Sequence, residues 1–206
     1  MIAKGSGYVK GAGARGRLHA HMKYTEHRSM SERETRDDRR IFDGEHDVIN
    51  RSDAVQDIME HSHRNVAYHK MILSPGQDEP VADWREWTRE VMGDLEQRQG
   101  KELHWYAVKH DNTENPHVHV VLAGSGENLE TGKLEQVKMY AADYKFLRES
   151  GHDHSGHEQQ REMNDWIREA DEQEAQELGV RDERNERAPG QEVVSGRESD
   201  RGDFDR

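Results

Sequence analysis

The 206-residue chain contains no cysteine. Disulfides and thiolate metal sites are therefore excluded, and any bound metal must be held by His, Asp or Glu. Apolar residues are scarce at 31%, against 35% charged residues, so a hydrophobic core cannot use the whole chain. No apolar run approaches the ~20 residues that a membrane span needs. The first residues, MIAKGSGYVKGAGARGRLHAH, lack the apolar stretch of a secretory signal. These absences imply a cytoplasmic protein without membrane contact. The length suits one domain and a tail.

Net charge is −13, which argues against nucleic acid until the charge is located. Residues 1–42 carry ten Lys/Arg against five Asp/Glu, a net of +5, whereas residues 149–206 carry eight Arg against eighteen Asp/Glu, a net of −10. Local field, not net charge, decides whether phosphate is attracted. The basic first segment can meet a polyanion; the acidic end cannot.

Glycine and basic residues through residue 17 read as a flexible arm. Leu18–Arg28 is ambiguous between strand and helix, and residues 29–47 are a polar loop or exposed helix. Asp53 can cap a short helix holding Ala54, Val55, Ile58 and Met59. Residues 66–73 (VAYHKMIL) read as a strand, with Tyr68, Lys70 and Ile72 on one face and Ala67, His69, Met71 and Leu73 on the other. Asp83 starts a helix whose stripe Trp84, Trp87, Val91 and Leu95 faces a core, and Gly100 stops it. Leu103–His110 and His117–Ala123 form an antiparallel hairpin, Gly124–Gly132 a loop and Met139–Ser150 a helix. GHDHSGHE, residues 151–158, reads as a solvated loop. Residues 180–206 are nearly devoid of apolar side chains and are expected to be disordered. The expected organisation is a domain over 1–170 and an acidic, disordered tail over 171–206. The fold class is α/β of the α+β type: an antiparallel sheet with helices packed mainly on one side.

The chemistry concentrates in HDNTENPHVHVVL, residues 110–122. Strand alternation puts His117 and His119 on one face, roughly 7 Å apart at Cα, with Val118, Val120 and Leu122 on the other. A hairpin returns His110 beside them. Three imidazoles suit a divalent transition metal and leave positions open for a phosphate oxygen. Asp111 or Glu114 can orient an imidazole from behind. His-x-His also occurs at 19/21, 61/63 and 152/154, but without an Asn-Pro turn before it and an apolar strand after it.

This string resembles the metal motif of HUH endonucleases and, more narrowly, the third motif of MobA-like and Ti-plasmid mobilisation relaxases. HAHMKYTEHR, residues 19–28, resembles the segment carrying their catalytic tyrosine, which falls on Tyr24. MILSPG, residues 71–76, resembles their second motif, whose Ser74 would help hold DNA. The resemblance spans residues 18–150. It implies a metal-dependent relaxase that nicks and rejoins one DNA strand through a 5′-phosphotyrosine, for plasmid mobilisation. One Mn²⁺, Mg²⁺ or Zn²⁺ would sit on His110, His117 and His119. Single-stranded DNA at a transfer or replication origin would be the substrate, met by Arg15, Arg17, Lys23, Arg28 and Ser74. Accessory mobilisation proteins or a coupling protein would be partners. A tyrosine hydroxyl, with an ordinary pKa of about 10, needs a base; Glu26, Asp111 and His21 all stand open for that role. Tyr8 is the rival nucleophile. A rolling-circle replication initiator would use the same chemistry, a metal-stabilised autorepressor would bind DNA without an adduct, and a hydrolytic nuclease would turn over without one.

Overall fold

In the computed structural model, the described residues are 1–27, 39–76, 81, 83–111 and 116–156; all belong to one compact unit, Met1–Glu162. Arg28, Glu114 and the whole expected tail, 171–206, lie outside them.

The chain begins with a strand, β1 (Ile2–Val9), and not with the flexible arm expected of its glycines. It pairs antiparallel along the outer edge of β2 (Tyr68–Ser74), with a register shift between Gly5 and Gly7. The glycines serve packing. Gly7 has a φ of +113° at this bulge, a region open mainly to glycine. A Cβ on Gly5 would come 2.5 Å from the Tyr144 hydroxyl. Strand pairing thus fixes a segment whose composition alone reads as loose.

Helix α1 (Ala14–His27) resolves the ambiguous segment, burying Ala14, Leu18, Met22 and Thr25 along one stripe. Helix α2 (Arg51–Glu60) starts earlier than expected: Asn50, not Asp53, is its cap and accepts from Ser52 N. Asp53 sits instead in the first turn, where the helix dipole favours an anion. Helix α3 (Trp84–Gln99) follows its sequence signals, with Asp83 accepting from the Arg85 and Glu86 amides and Gly100 left-handed at its end. After the short β3 (Lys101–Glu102) come β4 (Trp105–His110) and β5 (His117–Ala123), the expected hairpin. The stretch expected as a loop after it contains β6 (Ser125–Asn128), which pairs with β3 and with β7 (Leu134–Gln136).

Helix α4 (Ala141–Asp153) runs past its expected end. Gly151 lets it press so close to Met1 and Trp87 that a Cβ would collide with Met1 Sδ, and Trp87 Nε1 donates to the Gly151 carbonyl at 2.9 Å. His154, expected in a solvated loop, is held by Asp94 and Glu90 on α3. The rest of that motif, 157–158, lies outside the described residues.

The main sheet is antiparallel throughout, in the order β1-β2-β5-β4. The α+β class holds. The expectation of helices mainly on one side does not, because both faces of the sheet are apolar. Met71, Leu73, Val118, Val120 and Leu122 pack with Trp87, Val91, Leu95 and Leu147 from α3 and α4. Tyr68, Tyr106, Val108, Val121 and Ala123 pack with Leu18, Met22, Val55 and Ile58 from α1 and α2. A sheet buried on both faces needs helices on both.

Candidate active site

The β4–β5 register places His110 directly opposite His117, and His119 lies two residues along the same face. The three rings gather at centroid separations of 5.4 Å (110–117), 4.5 Å (110–119) and 4.9 Å (117–119). One nitrogen of each lies within 4.8 Å of the others. His110 is fully buried, and the other two are half-buried.

Hydrogen bonding sets the tautomer of His110. Its Nε2 stands 2.8 Å from the Thr25 carbonyl. A carbonyl only accepts, so Nε2 carries the proton and Nδ1 keeps the lone pair. This is the arrangement in which a backbone group orients a metal-ligating imidazole. His117 Nε2 and His119 Nε2 are 3.2 Å apart. Two bonds of about 2.0–2.1 Å at a tetrahedral angle put ligand nitrogens about 3.3 Å apart. The observed spacing therefore fits a divalent ion shared by the pair.

Helix α1 forms the adjoining wall. Thr25 touches His110, and the His21 ring lies 6.2 Å from that of His119. Burial, then the Lys70 ammonium, hold the His21 pKa below its ordinary value. Tyr24 falls between His21 and Thr25 in the same helical turn and is 55% exposed. Tyr8, the alternative tyrosine, faces His69 across the β1–β2 pair. His69 shares a face with Met71 and Leu73, which pack under α3 and α4. Tyr8 therefore lies on the side of the sheet away from the three histidines.

The remaining expected residues divide. Arg15 and Lys23 are exposed on α1. Arg17 donates to the Lys10 and Ala12 carbonyls, so its guanidinium closes the turn between β1 and α1. Ser74 is buried, and its hydroxyl donates to the Pro116 carbonyl at 2.6 Å. It ties the end of β2 to the residue preceding His117. Glu26 is engaged by Arg51 at 3.3 Å and Asp111 by Lys109 at 3.7 Å.

Sequence reasoning missed Lys70. It shares a face with Ile72, the register partner of His119, acts electrostatically on His21, and has no ion pair among the described residues. The alternation in VAYHKMIL contained the signal, because it set Lys70 and Ile72 on one side.

The arrangement joins three imidazoles that could hold a metal ion, a tyrosine on the adjoining turn and cations in a partly open setting. Residues 24–150, more than half of the chain, match the protein-family model for the relaxase MobA/VirD2-like nuclease domain. The chain belongs to this relaxase family. The match opens at Tyr24 and takes in Ser74 and all three histidines. No curated protein and no solved structure matches the chain significantly. As a relaxase nuclease domain, the protein works on DNA in strand nicking. No helix among the described residues is long and apolar enough to cross a membrane.

Proposed function

We propose that this relaxase nicks single-stranded DNA at a transfer origin by attack of Tyr24 on the scissile phosphate, serving plasmid mobilisation. The contact of α1 with the histidines carries this reading. The hydrogen bond from His110 to Thr25 and the approach of His21 to His119 bring the turn bearing Tyr24 against the cradle.

His110, through Nδ1, and His117 and His119, through Nε2, are the residues that would hold a divalent ion. Bound there, it supplies neutralisation of charge on the phosphate oxygens. The other parts belong to the chain. The Tyr24 phenol gives its proton to His21, the base left once Glu26 and Asp111 are engaged by their cations. As the bond from Tyr24 Oη to phosphorus forms, the phosphorus–O3′ bond breaks, and the departing oxygen takes up a proton. The 5′-phosphotyrosine keeps the energy of the broken ester, so the 3′-hydroxyl can reverse the step. Lys70 faces the phosphate, while exposed Arg15 and Lys23 meet the flanking backbone. Accessory mobilisation proteins or a coupling protein would act on this complex.

The test is a single-stranded oligonucleotide spanning the origin nick site, incubated with Mn²⁺, Mg²⁺ or Zn²⁺. Wild type should become covalently attached to the 5′-phosphate, with the nucleotide mapped to Tyr24. Tyr24→Phe should still bind the strand and form no adduct. Cleavage without an adduct would establish a hydrolytic nuclease instead, and binding without cleavage an autorepressor.

A further inference from the structure

A second cluster of metal-capable side chains lies at the other end of β4. Asp57 on α2 and His61, which caps the C-terminal end of that helix, are four residues apart, a spacing that brings them to one side. His104 precedes β4 and meets them there. A donor atom from each of the three lies within 4.8 Å of the others. His61 Nδ1 is 3.1 Å from Asp57 Oδ1, and His104 Nδ1 is 3.2 Å from Asp57 Oδ2. Both contacts are N–H···O hydrogen bonds here, since His61 Nδ1 also lies 3.0 Å from the Asp57 main-chain carbonyl, which can only accept. The Tyr106 hydroxyl donates to Asp57 Oδ2 at 3.0 Å and fixes the carboxylate from behind, as outer partners do in metal sites.

This hydrogen-bonded Asp–His–His network by itself brings the groups together, so proximity alone decides nothing. The surroundings add an independent observation. Asp57 and His104 open onto a cavity of about 440 Å³, whose lining includes Asp43, Glu45, Glu96 and Glu102 against the lone guanidinium of Arg89. Five carboxylates and one guanidinium make a strongly cation-attracting field. That field repels a DNA phosphate, in contrast to the His110 end. His104 and His110 are six residues apart, about 20 Å along an extended strand, so the two clusters cannot share an ion.

We propose that Asp57, His61 and His104 form a second divalent transition-metal site, with its open positions facing this cavity. The site stands independently of the nicking mechanism. The two imidazoles are stacked, with centroids 3.4 Å apart and planes at 9°. Parallel lone pairs cannot meet at one ion, so binding turns the rings out of their stack. The ion then clamps the C-terminal end of α2 to β4.

The experiment counts Zn²⁺ by calorimetry and elemental analysis on the full chain. Removing the first cluster with His117→Ala/His119→Ala should leave about one tight equivalent. Adding His61→Ala/His104→Ala should remove it, and His61→Ala/His104→Ala alone should retain nicking. Imidazole resonances of His61 and His104 should shift on titration of the His117→Ala/His119→Ala protein, a readout that needs no further variant. No tight Zn²⁺ in that protein, or equal Zn²⁺ with and without His61 and His104, would overturn the site. Loss of nicking in Tyr24→Phe bears only on the nicking mechanism and leaves this count untouched.

Discussion

The two faces of the main sheet are built from alternate residues of the same strands and differ in character at one end. Toward α3 and α4, β5 presents Val118, Val120 and Leu122, all essentially inaccessible to solvent. Toward α1 and α2 it presents His117 and His119, which remain half-open, and then Val121 and Ala123, which are buried. One face is core along its whole length. The other is core at one end and carries the histidine cluster at the other. A period of two lets seven residues anchor a strand and arm it at once. Rigid apolar packing beneath a site holds its first contacts in place, so the silent face serves the reactive one.

The sharpest break between the faces should come from His119→Ala. We expect nicking to fall by at least about 1,000-fold, because the cradle loses a ligand and the ring beside His21. The melting temperature should change little, since the side chain is half-exposed and its neighbours are polar. Retained nicking in a single-turnover assay would show that His119 is not part of the reactive set.

Leu122→Ala strikes the opposite face three residues away. A fully buried leucine removed from a packed core costs about 2–5 kcal/mol, read from urea unfolding. Nicking per folded molecule should stay within a few-fold of wild type. A large activity loss in fully folded protein would show that the two faces are coupled more tightly than their packing implies.

Much of this division was legible in the sequence. The HVHVVL alternation separated the histidine pair from the core, Asp83 and Gly100 bounded α3, and HDNTENP marked the hairpin that returns His110. What escaped depends on partners remote in sequence. β1 looks like a loose arm until the free edge of β2 receives it. α1 has only a narrow apolar stripe, so the second helical layer was invisible until both faces of the sheet proved apolar. His61 read as half of a bare His-x-His with His63, yet its partners are Asp57 and His104. Nor does the sequence reveal that the Arg17 guanidinium and the Ser74 hydroxyl, both expected to meet DNA, donate to backbone carbonyls.

Ser74 refines the comparison at the point where the faces meet. Ser74→Ala leaves the Pro116 carbonyl without this donor, at a cost of about 1 kcal/mol. Because Pro116 precedes His117, we expect a several-fold drop in the rate of nicking with unchanged affinity for single-stranded DNA. Weakened binding with an unchanged rate, measured by fluorescence anisotropy and quenched-flow cleavage, would return Ser74 to the role of a DNA contact.

The smallest effect concerns His69, the polar exception on the silent face. Its ring is buried, and Nε2–H donates to the Val137 carbonyl at 3.1 Å. Burial lowers its pKa below 6.5, and the hydrogen bond only partly opposes this. As the pH falls from 7 through 6.5, the unfolded chain takes up this proton while the folded one resists. Unfolding is then favoured, and stability declines until the pH passes the lowered folded value. His69→Gln keeps an N–H donor and removes the titration. At pH 8 the variant should lie within about 1 kcal/mol of wild type. Between pH 6.5 and 5 its stability should fall less steeply, because the His69 share of the proton uptake is gone. His21 is lowered in the same direction on the other face and is unchanged by the substitution, so some acid dependence must persist. Denaturant midpoints collected across this range decide the matter: parallel curves for the two proteins would mean that His69 takes up its proton as readily folded as unfolded.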